Sequence, residues 1–356
     1  MDGWDIAIGL VKVVVVFAML LVVTILLVWI ERKVVADMQN RIGPERAGPW
    51  GILQTLADGL KLLFKEQIRP NKAEVGMYLL APVLTLIPAF LIFMVVPIGR
   101  PFTVTLGGVE RVIAMQGTDL NVGLLYILAM SSLAVYAVVL AGWSSGSKYP
   151  LLGGVRATAQ AISYEAAMGL ALVPVVFYAG TLSISGIVAA QEGTYGGILP
   201  AWHIIPLVPS FVIFFISIIA ETNRAPFDLV EAEQEIVGGF HTEYSGFRFA
   251  CFFLAEYINM FNMSAIAATL FLGGWNGPTF DGAIPAVISW LLPIFYFFIK
   301  TFILIFVFMW VRATLPRLRY DQLMQLGWKR LIPAALIWLV LSAVVVGFRQ
   351  FGVPWS

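Results

Sequence analysis

Charge is scarce in this 356-residue sequence: Asp, Glu, Lys and Arg make up only 12% of it, about half the share of a soluble domain. A soluble globule of this length would need a polar surface that these residues cannot supply. Cysteine is scarcer still. Cys251 is the single thiol, so the chain forms no internal disulfide and holds no iron–sulfur cluster of its own. The two histidines, His203 and His241, lie far apart and suggest no metal site. Neither a P-loop nor a Gly-x-Gly-x-x-Gly after a strand is present, which removes the usual nucleotide-binding signatures. The net charge is only +1, and no nucleic-acid partner is expected. No internal repeat or low-complexity linker divides the chain, so one transmembrane domain over residues 1–356 is expected.

What is abundant is apolar sequence. Sixty per cent of the residues are hydrophobic and the mean hydropathy is +0.89. A membrane span needs roughly 20 mostly apolar residues. Eight runs qualify: 9–30, 76–98, 121–143, 157–180, 203–221, 250–273, 286–311 and 330–348. The first lacks the basic lead-in and small-residue cleavage site of a signal peptide, and is read as a span. Lipid offers backbone groups no water to bond, so these runs must be helical. The alternation of a transmembrane β-barrel is missing. The expected fold class is therefore an all-α membrane protein with eight transmembrane helices.

The basic residues are unevenly placed. Seventeen of the 22 fall in four alternate loops, at 31–75, 144–156, 222–249 and 312–330. The other side has little beyond Arg100, Arg111 and Arg349, with Lys12 near the start of the first span. The positive-inside rule then puts these four loops in the cytoplasm and both termini outside. An even number of spans requires the termini to share a side, so count and charge agree.

Two inner loops carry more than connection. After Pro49, the residues Ile52, Leu53, Leu56, Leu60, Leu63 and Phe64 recur at helical spacing, opposite Gln54, Asp58, Lys61 and Lys65. This pattern predicts an amphipathic interfacial helix, either a plain anchor or the wall of an opening for an amphipathic ligand. The second loop gathers Glu221, Asp228, Glu231, Glu233, Glu235 and Glu243 around only Arg224 and Arg248. Asp228 with Glu231 reads as an N-cap and its capping-box partner. Crowded carboxylates repel one another, so some of this set are expected to hold protons near neutral pH; a plain solvated acidic loop is the alternative. Within the spans lie Glu165, Glu256 and Lys300. An ionisable group at the bilayer centre costs roughly 2.5–3.5 kcal/mol on insertion scales, so each is expected inside the bundle. They serve either proton coupling or a structural pairing of Lys300 with a carboxylate. Glu165 has Ser163 and Tyr164 beside it in sequence.

Several stretches resemble one family. They are Glu31-Arg32-Lys33, Asn40-Arg41-Ile42-Gly43-Pro44, Ala57-Asp58-Gly59-Leu60-Lys61-Leu62 and Lys65-Glu66 in the first inner loop. Tyr149-Pro150-Leu151-Leu152-Gly153-Gly154, Ile162-Ser163-Tyr164-Glu165 and Glu221-Thr222-Asn223-Arg224-Ala225-Pro226-Phe227-Asp228-Leu229 follow. Glu243-Tyr244-Ser245-Gly246, Ala255-Glu256-Tyr257 and the segment Arg312 to Leu323 complete the set. Together they resemble the quinone-chamber membrane subunit of proton-pumping NADH:quinone oxidoreductase, respiratory complex I.

The resemblance implies a bacterial inner-membrane location, with quinone (ubiquinone or menaquinone) as substrate. FMN and Fe–S clusters would be carried by peripheral-arm subunits, and pumping by other membrane-arm subunits. It places Arg32, Arg41, Asp58, Arg224 and Phe227 along a quinone chamber, with Phe64 on the apolar stripe beside it. Glu165, Glu221, Glu231, Glu233, Glu235 and Glu256 then form a carboxylate path for proton coupling, to which Lys300 is added. A related subunit of a membrane-bound hydrogenase or ferredoxin-linked complex, and a stand-alone ion-coupled transporter, are the competing readings.

Overall fold

The computed structural model describes residues 3–106, 108–195, 199–229, 237–278 and 286–351. Helix α1 (Gly3–Met38) is followed by α2 (Gln54–Phe64), α3 (Val75–Phe93), α4 (Gly123–Ser144) and α5 (Lys148–Ala179). Next come the short α6 (Ile184–Ala189), then α7 (Val208–Glu221), α8 (Gly246–Phe271) and α9 (Ala286–Thr314). The chain ends with α10 (Tyr320–Leu326), a π-helical turn at Gly327–Leu331, and α11 (Ile332–Phe351).

Among the described residues, seven helical segments are long and apolar enough to cross a membrane, the last being Tyr320–Arg349 taken as one. The chain is a multi-pass helical membrane protein. The run expected at 203–221 departs from the eight-span reading. It is helical only from Val208 to Glu221, about 21 Å of rise against a hydrocarbon core of ~30 Å. Residues 203–207 form turns, closed by Leu207 N–H to His203 O and by Ile204 N–H to Phe271 O at 2.9 Å. Pro206 has no N–H to extend the helix backward. The segments after α3 and α6 carry two short hairpins. Phe102–Leu106 pairs antiparallel with Val109–Ile113, and Thr194–Tyr195 with Leu199–Pro200. The β-branched residues of the first pair, Thr103, Val104 and Thr105 facing Val109, Val112 and Ile113, explain its strands, and Gly108, at φ 81°, supplies the turn.

The bundle is apolar outside and seamed with small polar groups inside. Val11, Val14, Phe17, Leu125, Ile303 and Val340 point outward, whereas Ser131, Gln160, Ser217, Asn262, Ser264 and Thr301 are buried. With lipid on the outside, hydrophobicity gives no preference for the interior, and close packing with interhelical hydrogen bonds takes over. Asn262 Nδ2 donates to Ala89 O at 2.7 Å and ties α8 to α3. Helix α7 runs antiparallel to α5 and α8: its start lies level with Phe271, and its end with Gln160, whose Nε2 donates to Ala220 O and Phe227 O. Gln160 and Glu256 sit well inside their helices, Glu256 about 15 Å from the start of α8. The polar chain that leaves α7 is therefore recessed into the bundle.

That recess depends on close approach of backbone to backbone. A Cβ on Gly153 of α5 would stand 2.7 Å from the Gly239 main chain and 2.8 Å from Phe240 N. Gly153→Ala is expected to cost about 1–3 kcal/mol. The thermal midpoint of the protein in detergent should fall, whereas Gly169→Ala, where a Cβ meets nothing within 4 Å, should leave it unchanged.

Candidate functional site

Side chains on or next to four helices converge on one guanidinium. Arg224, 5% exposed, lies just after α7. Its Nη1 is 3.3 Å from Glu31 Oε1 at the inner part of α1, and its Nε is 3.0 Å from Glu256 Oε1 on α8. The guanidinium stacks 4.2 Å from the ring centroid of Tyr257. Arg312, near the end of α9, reaches the same Glu31 oxygen. Two carboxylates thus meet two guanidiniums, and the quartet is neutral as a unit. Burial opposes the charge on Arg224, but Glu256 and Glu31 outweigh it and hold its pKa above the ordinary arginine value. Removing one partner from such a buried set typically costs about 3–5 kcal/mol.

Beside the quartet lies a cavity of about 90 Å³, lined by Ser131, Glu221, Asn223, His241, Glu256 and Asn259 among others. One water needs roughly 10–15 Å³ of such volume, so several fit. Glu221 Oε2 and Asn259 Oδ1 are buried without a hydrogen-bond partner among the described residues. Ser131 of α4 connects this cavity to Glu165, donating to its Oε1 at 3.2 Å, while Ser132 donates to the same oxygen. Among the described residues neither Glu165 nor Glu221 has an ion-pair partner. They can take up or release a proton without breaking a salt bridge; Glu31 and Glu256 cannot.

Neighbours in sequence proved a poor guide at Glu165. Adjacent helical residues diverge by about 100°, and Ser163 and Tyr164 face away from it. Ser163 accepts from Trp328 Nε1 at 2.9 Å, and Tyr164 donates to Leu323 O at 3.0 Å. The hydroxyls come instead from α4, more than thirty residues earlier. Because α5 starts at Lys148, Glu165 lies about 26 Å along its helix.

Other expected residues are scattered by comparison. Arg32 donates to Asp58 Oδ2 at 2.7 Å, joining α1 to α2. The apolar face of α2 is uncovered, with Leu53, Leu56, Leu60 and Leu63 about half exposed and Phe64 87% exposed. Arg41 is exposed and donates to Gln39. Phe227 is buried edge-on to Tyr164, at 5.4 Å between ring centroids. Asp228 pairs with Arg317 at 2.9 Å; the rest of its expected capping box, with Glu231, Glu233 and Glu235, lies outside the described residues.

Lys300 is not brought to the carboxylates. Its ammonium donates to the carbonyls of Leu272, Gly274 and Asn276 and lies 4.4 Å from the Trp202 ring centroid. That position at the end of α8 suits a cation facing a helix C-terminus. Glu31 and Arg312 were the residues missed. Both sit where an apolar run meets its first charges, a signal visible in Trp29-Ile30-Glu31 and Trp310-Val311-Arg312. Among the described residues no three His, Cys, Asp or Glu side chains gather to hold a metal ion.

This geometry can be set beside known proteins. The NADH dehydrogenase family model matches residues 11–343. The H subunit of the NADH-quinone oxidoreductase from Frankia casuarinae is 55% identical over 342 residues, covering 96% of this chain and 73% of that relative. The H subunit from Frankia alni matches at the same identity and coverage. The chain belongs to the NADH dehydrogenase family, among the H subunits of NADH-quinone oxidoreductase. In this family member the match takes in the quartet, the cavity and the amphipathic helix in one continuous stretch.

The Arg32–Asp58 contact yields a pH prediction. Burial raises the Asp58 carboxyl, but hydrogen bonds from Arg32 and Gln54 and the charges of Arg32 and Lys61 outweigh it, leaving it below its ordinary value of 3.8. A depressed carboxylate stabilises the fold above its unfolded value and loses that contribution as pH falls through the folded one. The hydrogen-exchange protection of α2 amides relative to the unfolded chain should therefore be constant above about pH 4 and fall below it. Asp58→Asn should show the lower protection at every pH.

Proposed function

We propose that this chain is the membrane subunit of NADH-quinone oxidoreductase that forms the quinone entry and binding chamber and couples quinone reduction to proton translocation. The observation that carries this reading is the continuity of the neutral quartet, the polar cavity, and the two carboxylates without a cation. Quinone would enter past the uncovered face of α2, whose leucines and Phe64 suit an isoprenoid tail. Arg32, Asp58 and Arg41 lie where a polar head would pass, and Arg224 with Phe227 further in.

Reduction of a quinone to its quinol takes two electrons and two protons, so the groups that supply those protons change charge beside the quartet. Guanidiniums stabilise developing negative charge on an oxygen. Any pull on Arg224 or Arg312 is felt by Glu31 and Glu256, and through the cavity by Glu221 and Glu165. A like-charge pair at ~4 Å is worth about 4 kcal/mol at an effective dielectric of 20. Moving a proton against about 150 mV costs roughly 3.5 kcal/mol. The coupling is of sufficient size. Glu231, Glu233 and Glu235 belong to the same path on this reading, while Lys300 holds the outer end of α8.

The antiparallel placement of α7 supports an eighth crossing, which with the basic inner loops puts both termini outside a bacterial cytoplasmic membrane. The partners are the peripheral-arm subunits carrying the quinone site and Fe–S clusters, and the other membrane-arm subunits; electrons reach the quinone through them.

Two variants of the assembled complex test this reading. Glu165→Gln should slow quinone-linked turnover about tenfold or more, since a hydrogen bond to a charged group is worth about 1.5–3 kcal/mol. It should also lower the protons moved per electron in proteoliposomes; an unchanged rate and yield would remove Glu165 from the path. Arg41→Ala should raise the apparent KM for quinone several-fold at unchanged assembly, and normal kinetics would exclude it from the chamber.

A further inference from the structure

At the opposite end of the bundle from the quartet, two buried glutamines behave differently. Gln191, 1% exposed, uses its amide in full: Nε2 donates to Ile187 O and Thr269 O, and Oε1 accepts from His203 N and Gly273 N. Gln116, 5% exposed, has no hydrogen-bond partner at either Nε2 or Oε1 among the described residues. Trp275, 6% exposed, likewise has its Nε1 without a partner. Leaving such groups buried and unmet is destabilising. Both residues line a single cavity of about 370 Å³, within the range of small-ligand sites.

Two carboxylates, Asp119 and Glu192, line the same cavity and are exposed. Among the described residues neither has an ion-pair partner. Asp119 is held by Ser183 and Ser185, whose hydroxyls donate to Oδ1 at 3.1 Å and Oδ2 at 2.8 Å. A carboxylate has about four lone-pair sites, so this leaves it free to accept further donors. The remaining wall is apolar, with Pro97, Pro101 and Met115.

The donor set narrows the ligand. A bare cation would satisfy the carboxylates and Gln116 Oε1, yet leave the N–H groups of Gln116 and Trp275 unmet. A lone phosphate would meet those N–H groups but face two carboxylates of its own sign. Only a ligand with both signs matches the whole lining. The cavity lies just beyond the end of α3 and the start of α4, where the headgroups of a bilayer would stand. We propose that it binds the phosphoethanolamine headgroup of a zwitterionic phospholipid. The Gln116 amide and the Trp275 N–H take the phosphate, and Asp119 and Glu192 take the ammonium. Lys300 contributes indirectly by fixing the turn that carries Trp275.

The test counts lipids. The intact complex, delipidated in mild detergent, is titrated with phosphatidylethanolamine and read by native mass spectrometry. Gln116→Leu should retain one phosphatidylethanolamine fewer than the parent, or bind it about tenfold more weakly. The double variant Asp119→Asn, Glu192→Gln, altered only at exposed side chains, should show the same loss and decides the matter if the first variant fails to assemble. Phosphatidylglycerol should not substitute for the lost lipid. Competition by soluble phosphoethanolamine would show that the headgroup alone suffices, and its absence that the acyl chains are needed. Equal retention by parent and double variant, or replacement by phosphatidylglycerol, would overturn the assignment.

Discussion

The inner half of this protein depends on how Arg224 is neutralised. A guanidinium cannot shed its charge, so burying it obliges the fold to deliver counter-charge at hydrogen-bonding distance. Glu31 from the first helix and Glu256 from the eighth do this, and Arg312 balances the second negative charge. The arrangement fixes where α1, α8 and α9 meet and holds the chain after α7 deep in the bundle. Because the quartet is already neutral, further charge arriving nearby must be answered by residues outside it, and Glu221 and Glu165 are the carboxylates so placed.

The two ends of the molecule solve the problem of buried polarity in different ways. Around Arg224, ion pairs stand beside a cavity lined by Glu221, which has no ion-pair partner among the described residues. At the outer end, Gln191 and Lys300 spend every donor on main-chain carbonyls and knit the turns around α8 into a rigid cap.

Most of the helical frame was legible in the sequence because lipid imposes it: apolar runs of sufficient length have no other stable form. Seven of the expected runs became long helices. The one at 203–221 failed in its first turn, where Pro206 and the bonds from His203 and Ile204 favour turns. Chemistry was less legible. Glu165 and Glu256 stood out as charges within apolar runs, and Glu221 and Arg224 as members of a charged loop; the fold brings the four to the quartet and its cavity. Their partners did not stand out, since Ser131, Ser132 and Arg312 reach the site only through tertiary packing. Lys300 looked like a member of the same set, yet sequence carries no sign of which end of the bundle a residue faces when its helix is apolar throughout.

The pairing at Glu31 also orders the making of the protein. Glu31 emerges early in synthesis, but Arg224 lies 193 residues later and Arg312 a further stretch beyond, 281 residues from Glu31. Until the ninth helix has been threaded into the bilayer, the first carries a carboxylate with its counter-charge incomplete. Helix α1 is thus made well before it can settle, which makes its docking a natural checkpoint for insertion of α9.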